Sequence, residues 1–279
     1  MQSMCLLLAC GLVMSSADND AMTQEHARFE GVWSFDLVEV DGVKQPEAPF
    51  ATNKMVISKD GSFVVVQGPR ITRGFMKSDP TRTPKHFDVT VTNGPGKGQT
   101  TLAIYELEDN TFKFCGPLRS TERPTTLDSK PGSGQIFQVL KREKIAVKNA
   151  LLGVGRQEMS GTWQAASYSV DGNTSPDEDL KNSKLLIDAD GKATPQGDGS
   201  VFIAGLMDID PTKNPMTIDV TFTEGAYKGQ TALGIYKVED DLLTIGRATP
   251  GKARPTDFLS THDKGDTLIT FKREKPLTN

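Results

Sequence analysis

The sequence predicts an all-β fold: two tandem antiparallel β-barrels of about eight strands each, with short lead-in helices. Three observations predict it. The chain repeats itself collinearly over most of its length. Each repeat alternates apolar and polar residues at period two between turn residues. Hydrophobic content of 36% with 26 Gly and 16 Pro in 279 residues suits short strands and many turns better than a helical core.

Residues 1–20 read as a leader. Met4 to Met14 is an uncharged apolar run with the length of a signal-peptide core, too short to span a bilayer. Two processing routes are legible. Ser15-Ser16-Ala17 places small residues for cleavage after Ala17, and Leu7-Leu8-Ala9-Cys10 resembles a bacterial lipobox that would lipidate Cys10. No Lys or Arg precedes the apolar run. The expected location is therefore exported: periplasmic, cell-envelope or extracellular, with membrane contact only through a lipid on Cys10. Cys5 and Cys10 lie in this leader, which leaves Cys115 as the one thiol of a mature chain, read as a small buried hydrophobe. No disulfide framework or zinc spacing is present in the sequence.

Residues 21–145 form the first predicted barrel. Ala21 to Glu30 is helix-compatible, and Gly31-Val32-Trp33 opens the first strand, on which Trp33, Phe35 and Leu37 are expected to share a face. Asp60-Gly61 and Asp109-Asn110 are turn signals, because Asp, Asn and Gly tolerate positive φ cheaply. Thr101 to Leu107 and Ile136 to Leu140 read as longer strands.

Residues 146–279 repeat the pattern. Val147, Leu151 and Leu152 are spaced as on a short helix, and Gly161-Thr162-Trp163 reopens the barrel 130 positions after its counterpart. Val40-Asp41-Gly42 returns as Val170-Asp171-Gly172, and Asp79-Pro80 as Asp210-Pro211. Asp88-Val89-Thr90 returns as Asp219-Val220-Thr221, and Lys97-Gly98-Gln99-Thr100 as Lys228-Gly229-Gln230-Thr231. Ile104-Tyr105 matches Ile235-Tyr236, Arg123-Pro124-Thr125 matches Arg254-Pro255-Thr256, and Lys141-Arg142-Glu143 matches Lys272-Arg273-Glu274. Collinear matches of this number mark a duplicated domain. The copies also differ: Cys115 and Gly116 face Gly246 and Arg247, and Leu127 faces Phe258.

The Gly-x-Trp on the first strand with an Arg on the last resembles the lipocalin (calycin) arrangement. That resemblance implies barrel closure by Trp33 with Arg142 and by Trp163 with Arg273, a planar cation stacked on indole. Each whole repeat looks like a lipocalin-like domain of unknown function common in planctomycete and related bacterial genomes. Ligand binding follows from it only by analogy.

Repetition also filters the candidate chemistry. His86 aligns with Thr217 and His262 with Pro131, which argues against a shared His triad or His-rich metal site. Asp79, Asp88, Tyr105 and Arg123 recur as Asp210, Asp219, Tyr236 and Arg254. They are the candidate ligand or loop residues. The plainer reading makes Asp79 and Asp210 turn caps, and Arg123 and Arg254 loop pins held by Asp88 and Asp219. Asn93 to Gly98 lacks the spacing of a phosphate loop and reads as a hairpin. Basic residues are scattered and the net charge is −4, so no nucleic-acid partner is expected, nor any cofactor or metal.

The leading functional expectation is an exported, non-enzymatic protein whose barrels bind a small apolar or amphipathic ligand. Its rival is an envelope structural or protein-interaction module with filled barrels. A hydrolase or isomerase is a third reading, and it requires Asp, Tyr and Arg of one repeat to converge on a cleft. An interior pocket of roughly 300 Å³, open away from the Trp, would favour the first.

Overall fold

The computed structural model describes residues 24–118, 121–197, 202, 204–260 and 265–274. Alternation along the chain becomes a nine-stranded antiparallel sheet in each repeat, eight strands of which close on themselves. The chain divides into two compact units between Lys144 and Ile145.

In the first unit, helix α1 (residues 24–29) leads into β1 (Gly31–Val40). There follow β2 (Val43–Lys44), β3 (Lys54–Ile57), β4 (Ser62–Gln67), β5 (Arg70–Asp79) and β6 (Lys85–Asn93). Strands β7 (Thr100–Leu107), β8 (Thr111–Pro117) and β9 (Gln135–Arg142) complete it. Each strand pairs with the next along the chain except that β3 returns to β1, and β9 closes the barrel against β1. Closure leaves no long open edge.

The second unit follows the same plan. Helix α2 (Val147–Met159) leads into β10 (Gly161–Val170), β11 (Asn173–Thr174) and the single turn α3 (Asp177–Leu180). Then come β12 (Lys184–Ile187), β13 (Lys192–Gln196), β14 (Gly205–Asp210) and β15 (Met216–Phe222). Strands β16 (Thr231–Glu239), β17 (Leu242–Arg247) and β18 (Thr267–Arg273) finish the barrel, closed by β10 with β18.

One face assignment needs correction. Trp33 and Phe35 share a face, but Leu37 does not join them. A β-bulge at Asp36 shifts the register between Phe35 and Leu37, so that Leu37 lies opposite Val139 and Val38 opposite Gln138. The phase reverses, and Val38 becomes the buried residue at 8% exposure. Strand β10 carries the same shift between Ala165 and Ser167. An extra residue cannot be seen in an alternation pattern, because pairing across strands defines it.

The two interiors differ in kind. Barrel 1 is aromatic: Phe29, Phe87, Tyr105 and Phe112 are buried with ring centroids 5.1 to 6.0 Å apart. At the matching positions barrel 2 has Met159, Ile218, Tyr236 and Leu243, also buried. Its rings sit elsewhere. Phe202 lies 5.0 Å from Phe271 and 6.1 Å from Tyr168.

Candidate functional site

The Gly-x-Trp motif and its Arg form one device with the lead-in helix. The last carbonyls of a helix lack intrahelical partners. In unit 1, Trp33 Nε1 donates to Phe29 O at 2.9 Å, and Arg142 donates to Arg28 O at 2.7 Å, to Glu30 O and to Asp109 O. In unit 2, Trp163 Nε1 donates to Met159 O at 2.7 Å, and Arg273 donates to Ser160 O at 2.7 Å and to Glu158 O. Each guanidinium lies over its indole, 4.1 Å from the Trp33 centroid and 4.0 Å from that of Trp163. A cation at a helix C-terminus is also favoured by the helix dipole. The pairs therefore fasten each lead-in helix across one end of its barrel. The glycine follows from the same geometry. A Cβ on Gly161 would lie 3.0 Å from Arg273 Nη1, and one on Gly31 would lie closer still to Arg142 Nη1.

Glu25 on α1 completes the floor of barrel 1. Its carboxylate accepts from Lys85 Nζ at 2.7 Å, Arg28 Nη1 at 2.7 Å and Tyr105 Oη at 3.1 Å. Burial raises the Glu25 pKa, but those donors outweigh it and hold the carboxyl below its ordinary value. Burial and the Glu25 charge together push the Tyr105 phenol far upward. Sequence reading missed Glu25 because its counterpart is Gly155. There a Cβ would meet Ile209 Cδ1 at 2.9 Å and Tyr236 Oη at 3.0 Å.

The repeated polar residues do not gather. Asp79 and Asp210 accept from the N–H and hydroxyl of Thr81 and Thr212, capping turns. Tyr105 and Tyr236 are buried inside the barrels. Asp88 and Arg123 sit on the outer wall, since their neighbours Phe87 and Ala103 are the inward residues. Arg123 Nη2 lies 2.6 Å from Asp88 Oδ1 and Nη1 donates to Ala103 O. Arg254 Nη1 lies 2.7 Å from Asp219 Oδ1 and donates to Gly234 O at 2.5 Å. The Asp88 and Asp219 oxygens form ion pairs rather than aligned hydrogen bonds. Asp, Tyr and Arg of one repeat therefore do not converge on a cleft, because alternation puts Tyr105 and Asp88 on opposite faces of the wall, and the plainer reading of turn caps and loop pins describes them.

Arg123 pins the connection between β8 and β9 against that wall. Beneath it lie Ile104 and Cys115, both fully buried. Cys115 Sγ donates to Asp128 O at 3.2 Å, and burial pushes the thiol up to about 11.

Among the described residues the interiors leave little room. An apolar cavity of about 30 Å³ lies in barrel 2 among Leu185, Ala193, Ile245, Ile269 and Phe271, bordered by Arg247. That is enough for a water or two and far below the roughly 300 Å³ of a small-molecule pocket. An open polar hollow of about 250 Å³ lies outside the floor of barrel 1, between Arg28, Glu30, Glu108 and Arg142. Its Arg142 is already committed to three carbonyls. Among the described residues no cluster of three or more His, Cys, Asp or Glu could hold a metal, and no helix is long and apolar enough to cross a membrane. Cys10 lies outside the described residues.

No protein-family model and no curated protein matches the chain. Among solved structures it is similar to a protein of unknown function from the DUF3598 family of Nostoc punctiforme PCC 73102. Identity is 10% over 94% of this chain and all of that one, with a TM-score of 0.24, too slight to support a functional argument.

Proposed function

We propose that the protein is an exported, non-enzymatic, lipocalin-like tandem-barrel module that acts through its walls and loops. The observation that carries this reading is the filling of the interiors. Barrel 1 is packed with edge-to-face and tilted rings around Phe87 and Phe112, and the space at the mouth of barrel 2 is about 30 Å³. Export rests on the apolar run from Met4 to Met14 and the small residues that follow. Native mass spectrometry of protein purified from its own host tests both points. The bare polypeptide is expected, beginning after Ala17 or at an acylated Cys10. An apolar molecule retained at one per chain would overturn the module in favour of a carrier, and an intact leader on cytoplasmic protein would overturn export.

A further inference from the structure

Strand direction collects four connections at the end of barrel 1 away from Trp33. Strands β1, β4, β6 and β8 run from the floor to the mouth, so residues 41–44, 67–70, 93–99 and 117–134 lie together on the rim. Two of these connections are tied to each other. Gly134 N donates to Asp41 Oδ1 at 2.7 Å, and Leu118 N donates to Gly134 O at 2.8 Å. Val43 and Leu118 therefore flank one tie, and they are 60% and 47% exposed.

The same rim is basic. Its four connections hold six basic and three acidic residues, in a chain of net charge −4. The matching connections of barrel 2, residues 171–174, 197–204, 224–230 and 248–265, hold four basic and five acidic residues, and Asn173 and Thr174 stand where barrel 1 has Val43 and Lys44. The basic, aliphatic rim thus belongs to barrel 1 alone. Lys44, Arg70, Lys97 and Lys130 are exposed. Among the described residues the first three have no ion pair. Lys130 lies 3.2 Å from Asp128 in an exposed pair, a kind that holds a cation weakly. These cations are far apart in sequence, and the strand reversals bring them to one end.

Exposed aliphatic side chains gain by entering the headgroup layer of a bilayer, and each Lys or Arg near an anionic membrane strengthens binding about fivefold. An acidic soluble partner would answer the cations but not the two aliphatic tips beside them. We propose that the mouth rim of barrel 1 docks on an anionic bilayer surface, with Lys44, Arg70, Lys97 and Lys130 meeting lipid phosphates and Val43 and Leu118 entering the headgroup layer. The inference rests on the module reading, for which it names the partner of the loops, and it is independent of any lipid on Cys10.

Co-sedimentation of the unacylated mature chain, beginning at Asp18, with lipid vesicles tests it. Phosphatidylcholine vesicles containing about 30% phosphatidylglycerol are expected to bind at least tenfold better than phosphatidylcholine alone at about 0.1 M salt, and about 0.5 M salt should remove most of that preference. Changing Lys44, Arg70, Lys97 and Lys130 together to Gln should reduce binding to the level of phosphatidylcholine alone. Lys228→Gln, at the barrel 2 position that matches Lys97, should leave it unchanged. Val43→Ser with Leu118→Ser should weaken it about tenfold. Leu118→Trp reads the contact directly: its fluorescence should be quenched by brominated acyl chains, while the fully buried Trp33 and Trp163 stay unquenched. If the fourfold variant does not fold, that quenching decides alone. No preference for the anionic vesicles, an equal loss in Lys228→Gln or an unquenched Leu118→Trp would each overturn the docking surface. Soluble polyglutamate binding as tightly as the vesicles, with no effect of the serine variant, would overturn it in favour of an acidic protein partner. Each of these results leaves the module reading standing, which only a ligand retained through purification overturns.

Discussion

Trp163 fills the floor of barrel 2, is fully buried, and closes the C-terminus of α2 through its N–H. Trp163→Ala should therefore destabilise that unit by roughly 3–5 kcal/mol, the range of large aromatic truncations. Denaturant unfolding followed through Trp33 fluorescence and by circular dichroism would show the loss confined to unit 2. A change well under 1 kcal/mol would mean that Trp163 does not hold the floor. Cys115 is the second residue-scale case. With its thiol buried and pushed up to about 11, it should resist a maleimide at pH 8 in the native protein and react only after unfolding. Mass spectrometry of the labelled chain checks this. The role of Cys115 as a buried apolar residue was legible in its neighbours Phe114 and Gly116; its bond to Asp128 O, across the β8–β9 connection, was not.

Among the elements, the β17–β18 connection is tied to the barrel wall by a charged side chain. Arg254 holds it to Asp219 and to the carbonyls of Ile218 and Gly234. Arg254→Ala leaves those carbonyls without their charged donor and should cost about 1–3 kcal/mol. Limited proteolysis should then cut between β17 and β18 well before the barrel itself; unchanged protease resistance would contradict the pin. Helix α1 gives a pH prediction. The folded pKa of Glu25 lies below its ordinary value, so its stabilising effect is present above the ordinary carboxylate range and is lost as pH falls through the folded pKa. His26 acts in the same direction, since burial lowers its pKa and acid then favours the unfolded chain. Unit 1 should lose stability from the ordinary histidine range near pH 6.5 downward, more steeply below about pH 4.3. Unit 2, with Gly155 and Arg156 at those positions, lacks both contributions and should lose less over the same range, its Asp210 carboxyl, lowered by Thr212, acting only in the carboxylate range. Unfolding midpoints between pH 7 and pH 4, read through Trp33 in a Trp163→Phe variant, would show the difference, and Glu25→Gln should flatten the carboxylate part of the curve.

Across the whole molecule, duplication made the architecture legible, and divergence between the copies made their interiors differ. Two repeats, their lead-in helices and the turn at Asp60 follow from local pattern or from matched positions, whereas the Trp–Arg pairs came from the resemblance of the first and last strands to a known arrangement. Period two, turn chemistry and collinear repetition are properties of sequence order, and sequence order alone determines them. The bulges at Asp36 and in β10, the carboxylate of Glu25 beneath Tyr105 and the separation of Asp88 from Tyr105 needed the folded chain. Each depends on which residues face one another across strands far apart in sequence, and a single string does not contain that information. Arg247 shows the division most clearly. Its exchange for Gly116 is visible by aligning the repeats, but its inward aim, its lack of a counter-charge among the described residues and the cavity beside it arise only when β17 is registered against β18. Barrel closure turns a one-residue difference into a half-buried cation at a mouth.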